Sequence, residues 1–131
     1  MQLRTHPEVD RLRARMTEYS PDDFYVCIVS FHEQVLGWNA YIHRAKAAAG
    51  VVRGYRSFQG ILADFAAVQV LPFDLAAADI FELLRKQGVR IGTMDLRIAA
   101  IALARGFTVL SRNTVDFSRV PELTVEDWTA Q

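Results

Sequence analysis

Three carboxylates fall where a protein of alternating strands and helices would gather them. Glu33 lies shortly after the apolar run "FYVCIV" (24–29), Asp95 opens "DLRIAAIALARG", and Asp116 lies just beyond "FTVLS" (107–111). In parallel sheets ligands bind at the carboxyl ends of strands, where the following helices begin. Carboxylates gathered there suit a hard cation such as Mg2+ or Mn2+, which takes a few oxygen ligands and keeps positions for water and phosphate. Such an ion acidifies its bound water and stabilises charge building on a phosphate during displacement. Each acid also has a plain structural role. Glu33 can complete a capping box with Ser30, Asp95 can favour the positive end of a helix, and Asp116 can close a turn. Spacing alone leaves both readings open.

The elements that must position these acids are legible from periodicity. "HPEVDRLRARM" has Pro7 at a tolerated first helical position and Val9, Leu12 and Met16 at helical spacing. "SPDD" is a turn, and "FYVCIV" reads as a strand buried on both faces. Ser30 is expected to cap a helix through "FHEQVLGWNAYIHRAKAAA", broken by Gly50, with a second helix from about Val51 to Ala67. "VQVLPF" predicts a short strand, and "DLAAADIFELLRKQG" a helix begun by Asp74 and ended before Gly88. "GTMDLRIAAIALARG" predicts a helix capped by Thr93 and stopped by Gly106. "FTVLS" is a strand, "RNTVDF" a turn or short helix, and "LTVEDW" a last possible strand. The alternation implies an α/β fold with a mostly parallel sheet.

Three segments carry a resemblance. "IVSFHEQVLGW", "IGTMDLRIAAIALARG" and "TVLSRNTVDFSRVPELTVEDW" resemble, in that order, motifs of PIN-domain ribonucleases, and the tail is similar to VapC-type toxins of type II toxin–antitoxin systems. The likeness runs from about His6 to Trp128. It implies a single PIN-like domain, a three-layer sandwich with a central sheet between helices. It also implies a Mg2+- or Mn2+-dependent endoribonuclease, usually a homodimer, neutralised by a cognate antitoxin protein. By the same resemblance Glu33, Asp95 and Asp116 are the catalytic and metal-holding acids. Asn113, Thr93 and Ser111 are possible supports, and either Asn113 or Asp116 comes nearer the metal. One feature of the family is missing. Its opening strand, ending in L-D-T-N/D with a metal-binding Asp, has no counterpart, and Asp10 follows no strand. The chain is thus expected to be N-terminally truncated relative to the family and weaker in metal affinity. The alternative is a catalytically impaired module that only dimerises or binds an antitoxin.

Composition narrows the remaining classes. In 131 residues, 51% hydrophobic and 23% charged, fifteen bases balance fifteen acids, as in an ordinary globular domain. No acid occurs between Glu33 and Asp64, while His43, Arg44, Lys46, Arg53 and Arg56 intervene. Arg44, Lys46, Arg53 and Arg56 are therefore possible contacts to an RNA backbone, against the plainer reading of a solvated helix face. Val35, Trp38, Tyr41, Ile42, Tyr55, Phe58, Leu62 and Phe65 in the same stretch exceed what a small core absorbs, and the remainder suits a dimer or an antitoxin helix. Cys27 reads as an inert buried thiol, and His32 and His43 lack zinc spacing. No Gly-rich phosphate loop supports a small-ligand site. With neither signal peptide nor membrane-length apolar run, a cytoplasmic protein is expected.

Overall fold

The computed structural model describes residues 7–130, and the opening "MQLRTH" of the sequence reading lies outside them. The element order is α1 (Pro7–Met16), a 3-10 turn (Pro21–Asp23), β1 (Val26–Cys27), α2 (Ile28–Arg44), α3 (Ala48–Ala66) and β2 (Val70–Leu71). There follow α4 (Leu75–Lys86), α5 (Thr93–Arg105), β3 (Val109–Leu110), α6 (Thr114–Phe117) and β4 (Val125–Glu126). The chain divides into two compact units, residues 25–73 and the remainder on either side of that segment.

In the unit 25–73, β1 and β2 pair in parallel, Val26 opposite Val70 and Cys27 opposite Leu71. The expected strand 24–29 is shorter than its apolar run because pairing extends only this far. An unpaired strand leaves N–H and C=O groups unsatisfied, whereas a helix satisfies them internally. Ile28 and Val29 accordingly join α2. Ser30 therefore does not cap. The N-cap is Cys27, whose side chain makes no capping hydrogen bond to the helix backbone and instead pairs with the Ser30 hydroxyl at 3.3 Å. Glu33 thus occupies the second turn of α2 and not its first.

The break between α2 and α3 also moves. It falls at 45–47, and Gly50 is the third residue of α3. Gly50 serves close approach, since a Cβ there would stand 3.0 Å from the Ala45 Cβ. Helix α3 packs on α2 with Gly54 and Ile61 buried, and Phe31 and Phe65 meet edge to face at 5.3 Å. Gly54 is the tightest point. A Cβ on it would lie 2.2 Å from Cγ1 and 2.8 Å from Cδ1 of Ile42. Gly54→Ala is expected to destabilise the protein by about 1–2 kcal/mol, overpacking outweighing the helix preference of Ala. Gly60→Ala meets nothing within 4 Å and is expected to gain about 0.5–1 kcal/mol. Urea titration of the two variants would show opposite shifts of midpoint.

In the other unit, β3 and β4 pair in parallel, Val109 opposite Val125 and Leu110 opposite Glu126. Two-stranded ladders are weak by themselves, and the helix pair α4–α5 supplies the core. Helix α4 buries Ala77, Phe81 and Leu84 at spacings of four and three. Helix α5 answers with Leu96, Ala99, Ala100, Ile101 and Ala102. The small side chains allow close approach, and Ala99 and Ala100 are fully buried. Gly106 closes α5 in the left-handed conformation at φ 70°, as its place in the sequence predicts. The expected cap at the other end is corrected by one position. Gly92 is the N-cap, and Thr93 is the first helical residue.

The C-terminal segment closes this unit. Trp128 stacks on Tyr19 at 5.1 Å and meets Phe24 edge-on at 5.9 Å, with the Arg15 guanidinium 4.7 Å from its ring centre. Arg11 donates to the Thr129 carbonyl at 2.7 Å. Two acids, Asp74 and Asp127, are tuned by local donors. The backbone N–H of Ala77, helped by the charge of Arg105, holds the Asp74 carboxyl below its ordinary pKa against a modest desolvation cost. The hydroxyl and backbone N–H of Thr129 do the same for Asp127. Groups lowered on folding stabilise above their unfolded pKa, about 3.9 for Asp, and that contribution is lost as pH falls through the folded value. An Asp74→Asn/Asp127→Asn double variant should therefore melt lower at neutral pH. Its Tm should also fall less steeply than wild type below about pH 4.

Candidate functional site

The candidate site grows from two helix starts in the unit that holds α4 to α6. Asp95 is the third residue of α5, where a negative charge faces the positive end of the helix. Behind it the buried Leu96, Ala99 and Ala100 anchor the helix. Asp116 is the third residue of α6, which follows directly on β3. Between them stands Asn113, the N-cap of α6.

One amide joins the two acids. The Asn113 Nδ2 donates to Asp116 Oδ2 at 3.0 Å and, more weakly, to Asp95 Oδ2 at 3.4 Å. Its Oδ1 accepts from the Asp116 backbone N–H at 3.3 Å, which fixes the amide orientation. The Ser111 hydroxyl accepts from the Asn113 N–H at 3.0 Å, and the Ser111 N–H reaches the Glu126 carbonyl beside the ladder. The turn is further held by an ion pair between Arg112 and Glu8 of α1, 3.0 Å. Ser111 thus orients the turn that presents Asn113. Thr93 is exposed, and its hydroxyl makes no hydrogen bond among the described residues.

Asn113 is more central than sequence reasoning gave it, as the side chain common to both acids. Arg119 was missed altogether. Its Nη1 lies 3.7 Å from Asp116 Oδ1, a separation of three residues on a helical turn that the sequence does display. That pair is open to solvent and adds little stability. It does place a positive charge beside the acids.

The donor chemistry suits a hard divalent cation. Each carboxylate has about four lone-pair positions, and Asp95 gives only one, to the Asn113 amide, among the described residues. Mg2+ is commonly held by one or two carboxylates with water completing its shell. Asp95 and Asp116 meet that requirement by chemistry. Glu33 is an exposed residue of the unit 25–73. Among the described residues no group of three His, Cys, Asp or Glu side chains is gathered to hold a metal ion.

The exposed cations Arg44 and Lys46 stand at the α2–α3 corner, with Arg53 and Arg56 on α3.

The sequence pattern of the family described as PIN domain matches residues 2–123, nearly the whole chain and across both units. The chain belongs to the PIN-domain family. Its α/β fold with parallel pairing is the one the sequence motifs implied. Among relatives, the tRNA(fMet)-specific endonuclease VapC of Shigella flexneri is 39% identical over 66 residues, 47% of this chain and 50% of that protein. Ribonuclease VapC of Rickettsia bellii is 40% identical over 60 residues, covering 43% and 45%. This PIN domain spans about half the length of the curated relatives it matches. The fold is shared with VapBC-1 of nontypeable Haemophilus influenzae at a TM-score of 0.73, with 24% identity over 92% of this chain and 87% of that one. No helix among the described residues is long and apolar enough to cross a membrane.

Proposed function

We propose that this PIN domain is the ribonuclease toxin of a toxin–antitoxin pair, hydrolysing RNA phosphodiester bonds with Mg2+ or Mn2+. The observation that carries this reading is the pairing of Asp95 and Asp116 through the single amide of Asn113, in a family whose relatives include ribonucleases. Asp95, Asp116 and Glu33 are the acids assigned to the cation and to catalysis, Glu33 on its motif alone. A divalent ion bound there supplies charge stabilisation for the phosphate and a more acidic water. Asn113 holds the two carboxylates in register, and Ser111 orients the turn that carries it. Arg119 offsets the negative charge of Asp116 and is available to a phosphate oxygen. Thr93, exposed in the first turn of α5, can donate to a bound phosphate.

The partners follow from the same reading. VapBC-1 of Haemophilus influenzae shares the fold, and a cognate antitoxin is proposed here as the partner. Val52, Tyr55 and Leu62, all more than half exposed or at its edge, form an apolar stripe on α3 at helical spacing. Such a stripe suits an antitoxin helix or a second copy in a homodimer. The protein is proposed to act in the cytoplasm, where its RNA is found.

A second reading keeps the partner surfaces and gives up catalysis. It is favoured by the absence of a third acid in the cluster among the described residues. Incubating the purified chain with RNA separates the two. Cleavage that needs Mg2+ or Mn2+ and stops with EDTA supports the ribonuclease. Intact RNA at every metal concentration leaves the binding module.

A further inference from the structure

We infer that the corner between α2 and α3 anchors backbone phosphates of a single-stranded RNA through Arg44, Lys46 and Arg53. This deepens the ribonuclease reading and rests on it for the choice of RNA. Residues 34–63 contain no Asp or Glu, although the chain as a whole is neutral. Its charge is therefore unevenly spread. Arg44, Lys46 and Arg53 are exposed and make no ion pair among the described residues.

The structure gives these cations a shape that the sequence does not. A concavity of about 390 Å³ opens at the corner, lined by Tyr41, Arg44, Ala45, Lys46, Ala47 and Gly50. Ala45, Ala47 and Gly50 keep part of its wall low between the two cations, so a phosphate can approach the backbone there. The Arg53 guanidinium stands 5.9 Å from the Tyr41 ring centre, which turns it toward the same corner. Ala47, the N-cap of α3, makes no side-chain capping hydrogen bond, and no acid occupies the first turn, so no carboxylate there offsets the cations. Tyr41 is half-buried and meets Trp38 edge to face at 5.2 Å. Cations with an aromatic ring among them are the combination that tracks single-stranded nucleic acid.

Arg56 falls outside this arrangement. It lies three residues beyond Arg53 on α3, and neither the concavity nor the Tyr41 contact includes it. The apolar stripe of Val52, Tyr55 and Leu62 occupies a different side of the helix, at about 100° per residue. Basic and apolar surfaces on α3 are thus separate.

The test uses the full chain, a fluorescein-labelled oligouridylate and EDTA to prevent cleavage. Binding is followed by anisotropy over a range of KCl. Each phosphate contact contributes about 0.7 to the slope of log K against log salt for a single strand. Arg44→Gln/Lys46→Gln/Arg53→Gln should lower affinity about tenfold or more and reduce the slope by about 2. The charge-preserving Arg44→Lys/Lys46→Arg/Arg53→Lys set should retain most of the slope. Arg56→Gln should leave the slope at the wild-type value, without the loss of about 0.7 that one phosphate contact would give. Circular dichroism of each variant checks folding. A folded triple-Gln variant with wild-type slope overturns the inference. Metal-dependent RNA cleavage by the wild type would then leave the ribonuclease reading standing. A reduced slope without any cleavage by the wild type would keep the phosphate anchor and sink the ribonuclease. Wild type that binds no RNA overturns the inference, and cleavage with Mg2+ or Mn2+ then judges the ribonuclease reading by itself.

Discussion

Asp95→Asn is expected to lower RNA cleavage by about a hundredfold or more and to weaken Mn2+ binding about tenfold or more. The substitution keeps the size of the side chain and removes its charge. Helix α5 is anchored by Leu96, Ala99 and Ala100 and not by Asp95, so the variant should fold. The pairing with the Asn113 Nδ2 is weak at 3.4 Å, and a neutral amide can still accept from it. What disappears is one of two negative charges that share a donor, and with it one of the oxygen ligands proposed for a hard cation. Asp116→Asn is expected to act in the same direction, with a further cost. Its N–H and carboxylate both bond to Asn113, and Arg119 stands opposite. Isothermal titration with Mn2+ and single-turnover cleavage would read the two effects separately. Wild-type Mn2+ affinity in Asp95→Asn would remove this residue from the site. The same pair of measurements on Glu33→Gln judges the third acid independently, because it belongs to the other unit.

Replacing Ile101 by Ala should cost about 2–5 kcal/mol, and by Val about 0.5–1.5 kcal/mol. Among the described residues Ile101 is the most deeply buried large side chain, at 1% exposure. The buried side chains nearest it along α5 include Ala99, Ala100 and Ala102, so the close-packed helix has little bulk with which to fill the space left. For a domain whose net stability is typically about 5–15 kcal/mol, the larger loss would be a substantial fraction of the total. Chemical denaturation would show it as a lower midpoint with an unchanged slope. The Ala variant would also connect core to site, because Ile101 and Asp95 share a helix. A loosened α5 should lower metal affinity even with every acid in place.

The elements read best from sequence are those whose ends carry their own chemistry. Asp74 caps α4 with its side chain, accepting from the Ala77 N–H, and Gly106 ends α5 with positive φ. Both signals are local, so composition at one or two positions suffices. The elements read worst are those whose limits depend on a distant partner. The length of β1 is set by β2, some forty residues along the chain, and no propensity in "FYVCIV" encodes that limit. The start of α2, and with it the turn on which Glu33 sits, moved for the same reason. Gly50 looked like a helix breaker and proved to be a point of close packing inside α3.

The candidate site divides along the same line. The family motifs singled out Glu33, Asp95, Asp116 and Asn113, whereas spacing alone left the acids open to plain capping or turn roles. The amide of Asn113 bridging both acids, the hydroxyl of Ser111 behind it and the charge of Arg119 beside it came from the fold. Sequence alone likewise determined that a long stretch is free of acids. Only tertiary structure decided that Arg44, Lys46 and Arg53 meet at one corner around Tyr41 while Arg56 lies outside it. Charge content is additive along a chain, whereas a binding surface depends on where two helices cross. That crossing is fixed by Gly54 against Ile42, a contact between residues twelve positions apart that neither residue announces by its type.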